Sequence, residues 1–209
     1  MPRQSWKTIA EISRVEYEVK KSVFIASCAP VTSGEEATDF LRKIKKEFPD
    51  ARHHVYAYRA GDETLEQRYS DDGEPSGTAG VPVLEVIKKS DIMNAVVVVT
   101  RYFGGILLGA GGLVRAYSAA AKAAIDAAGV VTYEKFDECR MICAYGDYND
   151  VLYRLGQFTV KTGKTQFDEN VTIEFAVLAE EREKLDDEIA ARFDGRYAVE
   201  KTGERFDVR

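Results

Sequence analysis

Two histidines, three cysteines and one tryptophan are all that this chain of 209 residues holds of its scarcest side chains, and the scarcity is informative. Cys28, Cys139 and Cys143 are odd in number and lack the C-x-x-C spacing of zinc or redox sites, which excludes a disulfide framework and a zinc ribbon. If residues 138–145 form a strand, Cys139 and Cys143 share one face, as buried free thiols would. His53 and His54 are adjacent, so on a strand they point to opposite faces and do not form one site as a pair. Long apolar runs are absent too. The uncharged stretch Tyr102–Val114 falls well short of the ~20 residues that cross a bilayer, and glycines interrupt it. Charges at Arg3, Lys7, Glu11, Arg14, Glu16 and Glu18 leave no apolar core for an export leader, so a cytoplasmic protein with no membrane partner is expected. An excess of positive charge is also lacking. The net charge is −6, with 17 Lys+Arg against 17 Asp+Glu in residues 1–132 and 12 against 18 in residues 133–209. A phosphate-bearing partner must therefore be met by a local patch rather than by the global field.

What is present is a globular balance, 45% hydrophobic and 31% charged. The length suits one large or two small domains. In the first half, "SVFIASCAPV" reads as a strand. "SGEEATDFLRKIKKEF" reads as a helix opened by a Ser33/Glu36 capping box, with Ala37, Phe40, Leu41, Ile44 and Phe48 on its apolar face. "HHVYAYRA" alternates as a strand, and "GDET" opens with a hairpin turn. Pro82 fits the first turn of a helix through "PVLEVIKK". "AVVVVT" has no polar face and predicts a strand buried on both sides. Leu113–Ala128 predicts a helix closed by Gly129. In the second half, strands near 134–145, 158–167, 171–178 and 197–206 and helices near 147–156 and 180–193 give the order βαββαβ of a ferredoxin-like unit. The expected fold class is α/β (α+β), with domains at 1–131 and 132–209.

Chemistry concentrates in two stretches. "RYFGGILLGAGGLVRAY" sets five glycines (Gly104, Gly105, Gly109, Gly111 and Gly112) between Arg101 and Arg115. It lacks the Lys-Ser/Thr ending of a Walker A loop, and Val114 breaks the dinucleotide fingerprint. A generic anion seat remains, with backbone N–H groups at a helix start and two guanidiniums. The alternative is that the glycines allow close packing and the arginines pair with Asp71, Asp72 or Glu74. The second stretch, "SDDGEPSGTAG", offers those three acids for magnesium or a partner contact, or simply as a solvated turn. Gly73 sits one place too early for a G-x-S-x-G elbow at Ser76. No nucleophile, base and orienting group occur together, so no catalytic residue, metal or cofactor is nominated. Tyr56, Tyr58, Tyr69, Tyr102 and Phe103 are interleaved with Arg52, Arg59, Arg68 and Arg101, a pattern that on a sheet serves either stacking of single-stranded RNA or packing alone.

Taken together, "KKSVFIASCAPV", "ARHHVYAYRAG", "RYSDDGEPSGTAGVPVLEVI" and "VVVVTRYFGGILLGAGGLVRAYSAAAKAAI" resemble the IMPACT family, in its bacterial YigZ-like branch. The resemblance covers residues 17–128. It implies a first domain like domain 2 of ribosomal protein S5 and a ferredoxin-like second domain, both similar to the last two domains of elongation factor G. Eukaryotic relatives restrain the amino-acid-starvation response by competing for an adaptor of a translation-control kinase. For bacterial relatives the conjecture is nucleic-acid or ribosome binding. Two positions depart from the family: Leu107 stands where many relatives have lysine, and Val55 where they have cysteine. The expected function is non-enzymatic binding of RNA or the ribosome, modulating translation, through Arg52, His53, His54, Arg101, Tyr102, the five glycines and Arg115. The alternatives are a protein-interaction module of a stress or translation-control pathway, and a hydrolase of a phosphorylated substrate using Asp71, Asp72 and His54.

Overall fold

The computed structural model describes residues 5–61 and 64–209. The chain divides into two compact units, Met1–Thr132 and Tyr133–Arg209. The first unit contains β1 (Ser5–Ile9), β2 (Ser13–Val19), β3 (Ser22–Pro30), α1 (Gly34–Glu47), β4 (His53–Ala60), β5 (Glu66–Ser70), α2 (Gly80–Lys89), β6 (Ala95–Tyr102) and α3 (Ala110–Ala128). Its main sheet is antiparallel, in the order β2-β3-β6-β4-β5.

The valines of β6 explain the layering. β-Branched residues on both pleats of a central strand require cover on both faces. Val96 and Val98 meet Ala37 and Ile44 of α1 on one side. Val97 and Val99 meet Ile87 of α2 and Tyr117, Ala121 and Ile125 of α3 on the other. Small residues along α3 let it lie close to the sheet. The capping box of α1 forms in altered shape: Ser33 Oγ accepts from the Glu36 N–H at 3.2 Å, but the Glu36 carboxylate reaches back to the Thr32 N–H.

The second unit begins inside β7 (Val130–Cys143) and continues through α4 (Tyr148–Leu155), β8 (Val160–Phe167), β9 (Val171–Leu178), α5 (Arg182–Arg192) and β10 (Val199–Val208). Its strands lie in the antiparallel order β10-β7-β9-β8. This is the ferredoxin-like arrangement. Cys139, Met141 and Cys143 face its core beside Ile173, Leu185 and Ile189, and all three cysteines of the chain are buried free thiols. No helix among the described residues is long and apolar enough to cross a membrane.

The start of one helix differs from the sequence expectation. Helix α3 starts at Ala110, three residues before Leu113, so Gly111 and Gly112 lie in its first turn. A Cβ on Gly112 would sit 3.0 Å from Leu108 Cβ, which is why glycine is tolerated in a helical turn here. The hairpin turn expected at "GDET" has Asp62 and Glu63 outside the described residues, while its flanks pair from Tyr56↔Ser70 to Ala60↔Glu66.

Candidate functional site

The register of the first unit brings the sequence candidates to one end of the sheet. Arg101 lies opposite His53 of β4 and Phe24 of β3, and Tyr102 lies opposite Val23. The turn between β2 and β3 (Lys20, Lys21), the start of β4 (Arg52, His53), the loop after β5 (Asp71 to Gly80) and the start of α3 therefore gather there.

Arg101 does not project into solvent. It is 7% exposed, and its Nη1 donates to Glu74 Oε1 at 2.6 Å. The Tyr117 hydroxyl donates to the same oxygen at 2.7 Å. Burial, followed by the Glu74 charge, pushes the Tyr117 phenol far up, so it stays a donor throughout the accessible pH range. The guanidinium lies 5.4 Å from the Phe24 ring centroid and 5.7 Å from that of Phe103. The expectation of Arg101 as an open anion ligand is corrected accordingly. A buried arginine already neutralised by a carboxylate has little charge left to offer, and for this residue pairing with Glu74 is the reading that holds.

The acidic stretch is architectural. Asp71 accepts from the N–H groups of Gly77, Ala79 and Gly80 at 2.7–3.0 Å, folding the loop back and capping α2. Burial would raise its pKa, but the three backbone donors outweigh it and hold the carboxyl below the usual range. Asp72 accepts from the His54 N–H at 2.6 Å and from Lys45 Nζ at 3.3 Å. With Glu74 spent on Arg101 and Tyr117, all three carboxylates are engaged. No metal-binding cluster of His, Cys, Asp or Glu is present among the described residues.

The histidines separate as strand geometry requires. His54 is buried and its Nε2 donates to the Phe48 carbonyl at 3.0 Å. Desolvation lowers its pKa more than that carbonyl and Asp72 raise it. His53 is half-buried, and its Nδ1 donates to the Asp72 carbonyl at 2.8 Å. A carbonyl only accepts, so Nδ1 carries the proton and Nε2 is left as an acceptor.

Of the glycines, Gly104 makes the tightest approach: a Cβ there would lie 2.0 Å from the Lys21 carbonyl carbon. Its N–H donates to Ser22 Oγ at 3.2 Å. Gly109, with φ of 70°, precedes α3. Gly105 stands in open space.

What remains open is cationic and aromatic. Arg52 and Arg115 are exposed, and neither has an ion-pair partner among the described residues; the same is true of Lys20 and Lys21. Phe103 is 56% exposed and Leu107 84%. Asp50, Arg52, His53, Arg101, Tyr102, Phe103 and Leu107 line a groove of about 480 Å³. The Tyr102 hydroxyl donates to Asp50 Oδ1 at 2.8 Å across one side of it.

Sequence reasoning left out Tyr117, Phe24, Asp50 and the two lysines. Tyr117 had a signal, being a lone hydroxyl on the alanine-rich face of α3. "KK" between two strand patterns likewise marks a two-residue turn, and both lysines take positive φ there. Asp50 had none.

Residues 20–125 match the Impact N-terminal domain, and residues 141–196 match a domain of unknown function, DUF1949. IMPACT family member YvyE of Bacillus subtilis (strain 168) is 41% identical over 184 residues, which cover 86% of this chain and 82% of that protein. The chain belongs to the IMPACT family. IMPACT family member YigZ of Escherichia coli (strain K12) is 36% identical over 178 residues, covering 84% of this chain and 87% of that one. A crystal structure described only as that of a hypothetical protein superposes with a TM-score of 0.61 at 33% identity, covering 96% of this chain and 98% of its own. The groove, the Glu74 ion pair, Arg52, Arg115, Lys20 and Lys21 fall within the segment matched to the IMPACT domain.

Proposed function

We propose that this IMPACT-family chain is a cytoplasmic, non-enzymatic protein that binds RNA, free or on the ribosome, and thereby modulates translation. One observation carries the reading: Arg52, in the groove that Tyr102 and the exposed ring of Phe103 also line, is an exposed guanidinium without a carboxylate partner among the described residues, and Arg115 in the second turn of α3 is another. Arginine offers a phosphate two parallel N–H donors, and an aromatic face accepts an unstacked base. Lys20 and Lys21 extend the positive patch. The acidity of the second half does not oppose it, because residues 1–132 are neutral overall. Catalysis is disfavoured by the acids themselves. A hydrolase built on Asp71, Asp72 and His54 needs a free carboxylate or an open base, and each of these is committed to the fold.

The test is the double substitution Arg52→Gln, Arg115→Gln. Both residues are exposed, so thermal unfolding should be unchanged. Affinity for a single-stranded 12-mer RNA and for bacterial ribosomes should fall at least about tenfold, which is 1.4 kcal/mol. The dependence of log affinity on log salt should lose about 1.4 of its slope, for two phosphates no longer neutralised. Unchanged affinity and slope would overturn the proposal.

A protein partner is the second reading, favoured by Ile106 and Leu107, which are 43% and 84% exposed on the same loop. Capture of a partner that survives ribonuclease and is lost in Leu107→Asp would select it.

A further inference from the structure

We propose that the groove between the start of β4 and the end of β6 seats one unstacked nucleotide whose base carries an exocyclic amino group. The inference rests on the RNA-binding reading but goes further, naming the chemistry one position of the ligand must have. At about 480 Å³ the groove is of the size that holds small ligands. Its walls divide by chemistry. Phe103 supplies an exposed ring, and the Arg101 guanidinium 5.7 Å from that ring's centroid steadies it. Because Glu74 holds Arg101, this arginine positions the stacking face instead of drawing the phosphate to itself. The phosphate falls to Arg52, which is exposed and has no ion-pair partner among the described residues. The Nε2 acceptor of His53 suits a ribose hydroxyl.

Asp50 sets the selectivity. It is an acceptor-only group, and the Tyr102 hydroxyl already satisfies Oδ1, leaving Oδ2 for a donor from the base. Adenine, cytosine and guanine bring an amino group. Uracil brings carbonyl oxygens on both sides of its single N–H, and these would face the carboxylate. Repulsion between those carbonyl oxygens and the Asp50 carboxylate disfavours uracil relative to a base whose amino group donates to Oδ2.

The ligand chemistry has two sources, a free nucleotide and a nucleotide within a single strand, and the experiment separates them. Binding of 5′-AMP, 5′-CMP and 5′-UMP, and of oligo(A) and oligo(U) 12-mers, is measured by titration calorimetry, with ring signals of Phe103 and His53 followed by NMR. The amino-bearing ligands should bind at least about tenfold more tightly than the uracil ones. Oligomer binding with weak monophosphate binding assigns the seat to RNA. Equal binding per site assigns it to free nucleotides. Phe103→Ala should weaken both A and U ligands. Asp50→Asn, whose amide both donates and accepts, should shrink the preference against uracil. Equal affinity for A and U ligands in the unaltered protein would overturn the proposal. So would indifference to Phe103→Ala and Asp50→Asn while Arg52→Gln, Arg115→Gln still weakens RNA binding, and that outcome would leave the RNA-binding reading standing. No binding of any of these ligands would sink both.

Discussion

Glu74 is a carboxylate at 9% exposure, and two donors, Arg101 and Tyr117, hold it there. Breaking such a pair from one side is expensive because the other charge stays buried and unpaired. Arg101→Met should therefore destabilise the first unit by about 3–5 kcal/mol in urea unfolding, and Arg101→Met with Glu74→Leu should recover much of the loss. Equal losses in the single and double variants would mean that the pair contributes nothing beyond its packing. This also explains why Arg101 is a poor probe of RNA binding: its loss would be read through the fold. His54 adds a pH dependence of definite sign. Its folded pKa is lowered, mainly by burial, from an unfolded value near 6.5. As pH falls below about 6.5 the unfolded chain takes up the proton first, so stability declines until the folded pKa is reached. Asp71, also lowered, adds its own loss in the more acidic range, as pH drops below the ordinary carboxylate value of about 3.9 towards its folded pKa. The urea midpoint should fall between pH 7 and pH 5, and His54→Gln should flatten that slope. An unaltered slope in the variant would assign it to other groups.

Elements were more legible than contacts. Strand β9 and the helix-strand order of the second half follow from alternation and turn residues, because those signals are local. The start of α3 does not, since glycine is a poor helix former and only the approach of Leu108 to Gly112 shows why it stands there. For the same reason the sequence presents Arg101 and Arg115 as equivalent cations flanking a loop. Glu74 lies 27 positions before Arg101 and meets it only after β4, β5 and β6 have paired. Arg115 meets no such acid among the described residues. The glycine loop likewise combines two roles that spacing alone cannot separate. Gly104 is pinned against the β2–β3 turn, whereas Gly105 has open space and φ of 81°. Gly104→Ala should cost about 1–3 kcal/mol by forcing two backbones apart. Gly105→Ala should cost about 1–2 kcal/mol from its left-handed backbone alone. The two should differ further in RNA binding. Only Gly104→Ala moves the Lys20–Lys21 turn, so it alone should weaken a 12-mer. Equal binding by the two variants would detach that turn from the interface.

At the scale of the molecule, charge and core divide at nearly the same place. The second unit holds its own apolar centre, with Cys139, Met141, Val151, Ile173, Leu185 and Phe193 all nearly inaccessible. It also carries the whole net charge of −6. Where to cut the chain follows from strand pairing. Tyr133 lies opposite Val208, so a fragment beginning at residue 134 would lose the outer end of the β7–β10 ladder, while one beginning at Val130 keeps it. Residues 130–209 alone should unfold in a single cooperative urea transition and give a dispersed amide NMR spectrum, because a four-stranded sheet under two helices has what an independent domain requires. The same fragment should leave a single-stranded 12-mer unbound at low salt, where any phosphate contact is strongest, since its acids outnumber its bases by 18 to 12. A folded fragment that retained the oligomer would move the nucleic-acid interface out of the IMPACT domain altogether, and Arg52 and Arg115 would then be ordinary solvated side chains.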